Sequence, residues 1–219
     1  MVEISTSILG VGKEKTIKTF YELETAHTDY FHIDVMDGKF VKENTVSKMM
    51  EYAEYIKQIS NLPLDIHLMV EDVKAYVDSY LSLEPDRITF HIEAIKDEKE
   101  IMKIIEYIKD NNTKVAIAIK PGTPVEKIYP YLPYIHMVLV MTVEPGQGGQ
   151  ELIESTINKI KKIKKYINEN EIELDIEADG GINLQNIKKL KQAGIDIAVV
   201  GTAIINSKNY KDTIKNLKG

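Results

Sequence analysis

Short apolar runs recur along the chain, each followed by a stretch in which apolar residues return at helical spacing. The strand candidates are Val2–Leu9, Tyr30–Met36, Leu64–Val70, Arg87–Ile92, Lys114–Ile119, Met137–Val143, Leu174–Asp179 and Ile197–Val200. Among the helix candidates, Thr45–Ser60 carries Val46, Met49, Met50, Ala53 and Ile56 on one face. Lys99–Lys109 carries Ile101, Ile104, Ile105 and Ile108, and Ile153–Ile167 carries Ile157, Ile160, Ile163 and Ile167. Asn183-Leu184-Gln185-Asn186 opens a further helix with a capping residue and Gly194 closes it. Pro121-Gly122-Thr123-Pro124 reads as a turn and a helix start, with Pro124 at the first helical position.

Strands alternating with helices imply an α/β fold with a parallel sheet. Eight such units predict a (β/α)8 barrel; a doubly wound open sheet is the rival, because periodicity does not report closure. No linker or composition break interrupts the pattern, so residues 1–219 are expected to form a single domain.

Composition narrows the class. The 219 residues are 43% hydrophobic and 28% charged, with a net charge of −6. That suits a soluble globular domain and argues against a general nucleic-acid surface. Arg87 is the only arginine, so a bound phosphate would not sit in an arginine clamp. The absence of cysteine excludes disulfides and thiolate ligands. No apolar run approaches the ~20 residues of a membrane span. The opening Val2-Glu3-Ile4-Ser5 has no signal-peptide pattern, and the expected location is cytoplasmic. The lysines of Lys159–Lys165 read as the wet face of an amphipathic helix.

Candidate chemistry concentrates at strand ends. In Phe31-His32-Ile33-Asp34-Val35-Met36 and Asp65-Ile66-His67-Leu68-Met69, alternation puts His32, Asp34 and Met36 on one face, and likewise His67 and Met69. Such polar groups are costly in a core without partners. His32, Asp34, His67 and Asp179 offer nitrogen and oxygen donors suited to one divalent ion: Zn, Fe, Mn or Co. Each residue alone has an ordinary structural explanation, as a satisfied core histidine or a capping carboxylate; the four together point to a metal nest. Met36, Met69 and Met141 end three strand candidates and would form an apolar collar around a reacting centre.

Glycines make the second constellation. Gly146-Gln147-Gly148-Gly149 follows the sixth strand, Gly180-Gly181 the seventh and Gly201-Thr202 the eighth. Glycine permits close backbone approach, and loops after the last strands of a barrel commonly build a phosphate site. Candidate residues therefore sit at six strand ends, which only a closed barrel gathers around one mouth. His91 also ends a strand and is read as structural or supporting; His27 and His136 are given no role.

These blocks resemble the ribulose-phosphate 3-epimerase family over nearly the whole chain. The resemblance rests on His32-Ile33-Asp34-Val35-Met36-Asp37-Gly38, Leu64-Asp65-Ile66-His67-Leu68-Met69-Val70, Val140-Met141-Thr142-Val143-Glu144-Pro145-Gly146 with Gly148-Gly149-Gln150, and Asp179-Gly180-Gly181-Ile182. It implies a phosphate-binding barrel of the ribulose-phosphate type that interconverts D-ribulose 5-phosphate and D-xylulose 5-phosphate through an enediolate. It implies that His32, Asp34, His67 and Asp179 hold the metal and that Asp34 and Asp179 are the acid–base pair. Ser7 and His67 would contact substrate, and Gly146, Gln147, Gly148, Gly149, Gly180, Gly181, Gly201 and Thr202 would bind its phosphate end. A homo-oligomer is implied too. Independently, inverting a carbon beside a ketone needs a proton removed from one face and returned to the other, a task for two carboxylates.

The chain departs from the family's usual pattern at Gln147, Lys39 and Lys42, and around Ser5-Thr6-Ser7-Ile8-Leu9-Gly10. These departures touch lid contacts and substrate choice. An epimerase for a related ketose phosphate, such as D-allulose 6-phosphate, is the near alternative. A lyase or decarboxylase on the same barrel would need Asp-x-Lys-x-x-Asp at a strand end, but Asp72-Val73-Lys74 with Asp78 has the wrong spacing and falls in a helix. A non-catalytic sugar-phosphate binder would need neither aspartate as a base.

Overall fold

The outward face of each strand explains the fold. The computed structural model describes residues 1–219 and contains eight strands: β1 (Glu3–Ser7), β2 (Tyr30–Met36), β3 (Leu64–Met69), β4 (Arg87–His91), β5 (Lys114–Ile119), β6 (Met137–Met141), β7 (Asp175–Asp179) and β8 (Ile197–Val199). All pair in parallel and in sequence order, and β1 pairs with β8, so the sheet closes as a (β/α)8 barrel. Ile33, Ile66, Ile88, Ile117, Val138 and Ile176 alternate outward and are fully buried in one apolar layer with the helices. Those helices are α1 (Thr16–Thr25), α2 (Val46–Ile59), α3 (Val73–Leu81), α4 (Glu98–Asp110), α5 (Thr156–Glu169), α6 (Ile187–Ala193), α7 (Thr202–Ile205) and α8 (Tyr210–Lys218).

The inward face is different. Ala116, Met137 and Ile197 form one small apolar set, and Ala118, Leu139, Met141 and Val143 another. Much of the rest is polar: Ser5, His32, Asp65, Arg87, Thr89 and Glu177 are all buried. Arg87 lies at the first residue of β4, in register with Asp65. Its guanidinium donates to Met137 Sδ at 2.9 Å and stands 4.1 Å from the Tyr30 ring centre. The chain's one arginine thus closes the N-terminal end of the barrel, away from the mouth.

Two expected helix starts are corrected. Pro124 precedes a one-turn 3-10 helix, Val125–Lys127, instead of opening an α-helix, and a second 3-10 segment covers Tyr129–Tyr134. Pro130 and Pro133 withhold the amide donors a longer α-helix would use there. α6 begins at Ile187, later than Asn183, because the asparagines shape the loop before it. Asn186 Oδ1 accepts from Asn183 N at 2.9 Å, and Asn183 Oδ1 accepts from Gln185 N at 2.8 Å. Gly194 does close α6, in the left-handed conformation. Most of the Lys159–Lys165 lysines are solvent-facing. Lys159 is half-buried and donates to the carbonyls of Lys120 and Pro121 instead.

Candidate active site

Register brings the strand-end residues to one depth. His32 pairs with Asp65 across β2 and β3, and Asp34 with His67; Met141 pairs with Asp179 across β6 and β7. At the mouth a cavity of about 940 Å³ opens over these ends. Ser7, Asp34, Met36, Met69, Met141 and Asp179 line its floor, and Gly146, Gln147, Gly148, Gly149, Gly180, Gly181, Gly201 and Thr202 line one side. His32 and His67 have no exposed surface and lie beneath that floor. His67 therefore meets the cavity through the nest, not as a wall. Lys39 lies outside the lining.

Four donor atoms converge below the floor. His32 Nε2 is 3.3 Å from Asp34 Oδ1, 3.4 Å from His67 Nδ1 and 4.0 Å from Asp179 Oδ2. His67 Nδ1 is 3.4 Å from Asp34 Oδ1 and 3.6 Å from Asp179 Oδ2. Tetrahedral ligands at ~2.1 Å from an ion stand about 3.4 Å apart, so the donor set fits a small divalent cation in both chemistry and spacing. His32 Nδ1 faces Asp65 Oδ2 at 2.7 Å, which turns its Nε2 into the nest.

Electrostatics divide the two aspartates. Burial pushes the Asp34 carboxyl up, but His32 beside it more than reverses this and holds it well below the usual carboxylate range. Ser7 Oγ adds a hydrogen bond to Asp34 Oδ2 at 2.7 Å. Asp179 is raised to about 6, first by burial and then by the charge on Asp34. One carboxyl thus stays firmly ionised, while the other binds a proton more tightly than an ordinary aspartate.

Several supporting residues escaped the sequence reading. Asp65 accepts from Ser5 Oγ at 2.7 Å as well as facing His32, and alternation with His67 was its signal. Glu177 lies two residues before Asp179 on the same face, and its carboxyl, raised by burial, has no hydrogen-bond partner. Asp37 knits two loops together: its Oδ1 accepts from Lys39 N and Phe40 N, and its Oδ2 from Glu71 N. His91 Nε2 sits 2.9 Å from His67 Nε2, a supporting position consistent with its place at a strand end.

The loop side is made of main chain. Gln150 Nε2 donates to the carbonyls of Glu144 and Gln147, closing the 144–150 loop on itself. Gly180 and Gly181 have φ of +121° and +67°. A Cβ on Gly180 would lie 2.3 Å from Val143 Cγ2, and one on Gly181 2.5 Å from Leu152 N. Here glycine is required by both conformation and close packing of adjacent loops.

Asp72, Lys74 and Asp78 lie away from the mouth. Asp72 caps α3 by accepting from Ala75 N, and Lys74 pairs with Asp78 at 2.7 Å on the exposed helix face. They form no strand-end motif.

Known proteins share this sequence and fold. A sequence profile of the ribulose-phosphate 3 epimerase family matches residues 3–205. The ribulose-phosphate 3-epimerase of Methanocaldococcus jannaschii is 38% identical over 218 residues, covering 100% of this chain and 90% of that protein. That of Bacillus subtilis is 32% identical over 220 residues, covering 100% and 99%. Among solved structures, a 3-hexulose-6-phosphate synthase superposes with a TM-score of 0.72 at 12% identity, over 99% of this chain and 98% of that one, a likeness of fold. With its barrel closed and its strand-end residues converging, the chain belongs to the ribulose-phosphate 3-epimerase family.

Proposed function

We propose that this chain, a pentose-phosphate epimerase by family, inverts C3 of D-ribulose 5-phosphate to give D-xylulose 5-phosphate by proton transfer between Asp34 and Asp179. The observation that carries this reading is the unequal proton affinity of two carboxyls sharing one nest. Asp34, held ionised by His32 and Ser7, takes the C3 proton from one face. Asp179, raised to about 6, returns a proton to the other face, and the roles exchange in reverse. A base of low pKa is a weak one in water, but proximity and exclusion of water offset this.

His32, Asp34, His67 and Asp179 would hold one divalent ion, with Zn, Fe, Mn and Co all compatible with the donor set. When bound, that ion supplies Lewis-acid stabilisation of the negative charge that develops as the C3 proton leaves. Met36, Met69 and Met141 are buried at the floor and keep water from the reacting carbon. The main-chain amides around 146–149, 180–181 and 201–202 would bind the phosphate end, which orients C3 over the aspartates. Residues 1–219 act as a single catalytic domain on this reading; its homo-oligomeric state is an expectation drawn from family kinship, and its cytoplasmic location one drawn from the sequence pattern.

The test is deuterium incorporation at C3 in D2O with D-ribulose 5-phosphate and D-allulose 6-phosphate in parallel, on protein of measured metal content. Exchange and epimerisation of the pentulose phosphate at the higher kcat/KM are expected. Faster turnover of the hexulose phosphate would reassign the substrate, and exchange with neither would leave only a sugar-phosphate binder.

A further inference from the structure

We propose that His91 and Glu93 are positioning residues that dictate which nitrogen of His67 carries a proton, and so keep His67 Nδ1 available to the nest as a lone pair. The wiring can be followed atom by atom from Glu93. Its Oε1 accepts from Lys120 N at 2.8 Å and from Thr123 Oγ1, and its Oε2 faces His91 Nδ1 at 3.2 Å. An ionised carboxylate only accepts, so His91 Nδ1 must donate. The proton of neutral His91 is then on Nδ1, and its Nε2 is an acceptor.

That Nε2 lies 2.9 Å from His67 Nε2. Two facing N–H groups would repel, as would two lone pairs, so a single proton lies between the rings and belongs to His67. His67 Nδ1 is thereby directed, proton-free, at Asp34 Oδ1 and Asp179 Oδ2. A lone pair aimed at two carboxylate oxygens is unfavourable unless positive charge stands beside it, supplied by protonated His32, whose Nε2 lies 3.4 Å away, or by a bound cation. Glu93 thus keeps His67 ready for a cation from two imidazoles away, in the way that outer hydrogen bonds set ligand tautomers at metal sites.

Packing holds the relay still. His91 and His67 meet edge to edge, with ring centres 5.0 Å apart and planes 26° apart, and the Phe40 ring lies against His91 at 4.9 Å. Lys120 Nζ sits 3.8 Å over the Phe40 ring, so the backbone that feeds Glu93 and the side chain that holds Phe40 come from one residue.

The consequence for metal affinity rests on the proposed function; the tautomers do not. Glu93→Gln separates them. Its carbonyl must occupy the Oε1 position to satisfy Lys120 N and Thr123 Oγ1, which turns the NH2 toward His91 Nδ1. His91 should then switch to the Nε2–H form and the His67 Nε2 proton should be lost. Long-range 1H–15N spectra of histidine-labelled protein, metal-free and Zn2+-loaded, read this directly. The expected wild-type pattern is His91 protonated on Nδ1 and His67 on Nε2; His91 protonated on Nε2 instead would overturn the relay.

Competition between the protein and a chromogenic chelator for Co2+ should show affinity falling about 10–100-fold in Glu93→Gln. Glu93→Asp should recover most of it, and the metal-free melting temperatures of both variants should stay near wild type. Unchanged Co2+ affinity in Glu93→Gln would overturn the positioning role. Wild-type protein that binds no Co2+ would instead defeat the metal reading, with the tautomer pattern still deciding the relay.

Discussion

The two halves of the mouth are built by opposite means. On the β2–β4 and β7 side, side chains projecting from rigid strands make the site: His32, Asp34, His67, His91 and Asp179, mostly without exposed surface. On the β6–β8 loop side, main chain makes it, with Gly180 and Gly181 seated where neighbouring protein fills the Cβ position. The first half concentrates charge in a dry environment, where each ionisable group changes its neighbours' protonation. The second offers neutral amide dipoles that stay constant with pH. Chemistry that moves protons suits the first, and anchoring of a fixed anion suits the second.

The sharpest way to break this contrast is to neutralise one member of the proposed acid–base pair. Asp34→Asn and Asp179→Asn should each lower kcat by about 10³-fold or more, measured by C3 deuterium exchange, while the barrel remains folded by circular dichroism. Turnover near wild type in both would remove the two-base assignment. Because the loop half is untouched, substrate-analogue affinity should change much less than kcat.

Stability against pH probes the same half. Asp179 titrates near 6 in the fold, above its ordinary 3.8, so between those values the native protein holds a proton that the unfolded chain has released. The metal-free protein should therefore lose stability as pH rises from about 4 to about 6, by on the order of 2–3 kcal/mol from this group. In Asp179→Asn that loss should be absent, making the variant the more stable protein at pH 8 in urea denaturation. Asp34, depressed in the fold, acts in the opposite sense: its contribution is present above its unfolded pKa and lost as pH falls further.

In the loop half the same kind of single change acts through shape. Gly181→Ala must accommodate a Cβ against Leu152 N at a positive φ, and should cost about 1–3 kcal/mol in urea unfolding. KM for the sugar phosphate should rise more than kcat falls. If kcat fell as far as in the aspartate variants, the division of labour between the halves would be wrong. The smallest effect is expected at Gln147, a lining residue whose carbonyl, not its side chain, closes the loop with Gln150. Gln147→Ala should change KM by less than about threefold.

Legibility in the sequence followed this same division. Period-two alternation carries side-chain identity directly onto a face, so His32 with Asp34, and His67 with Met69, are placed by the sequence alone. Their gathering at one depth could only be inferred from barrel closure. Asp65 and Glu177 obeyed the same alternation, yet nothing local distinguished their supporting positions from an ordinary core or surface carboxylate. The loop glycines were visible as glycines, but their reason was not. Val143 and Leu152, which fill the space where Cβ atoms would stand, lie well apart from Gly180 and Gly181 along the chain.

By itself the sequence determined the strand count, the apolar layer outside the barrel and the residue types available to hold an ion, because each depends on local periodicity or composition. Tertiary structure decided that β8 returns to β1, and that four donor atoms from three strands stand at ligand spacing. It also decided that Arg87 seals the far end, and that Glu93 reaches His67 through His91. Closure and nonbonded distance depend on how separate strands register, and a linear pattern does not encode that geometry until the barrel shuts.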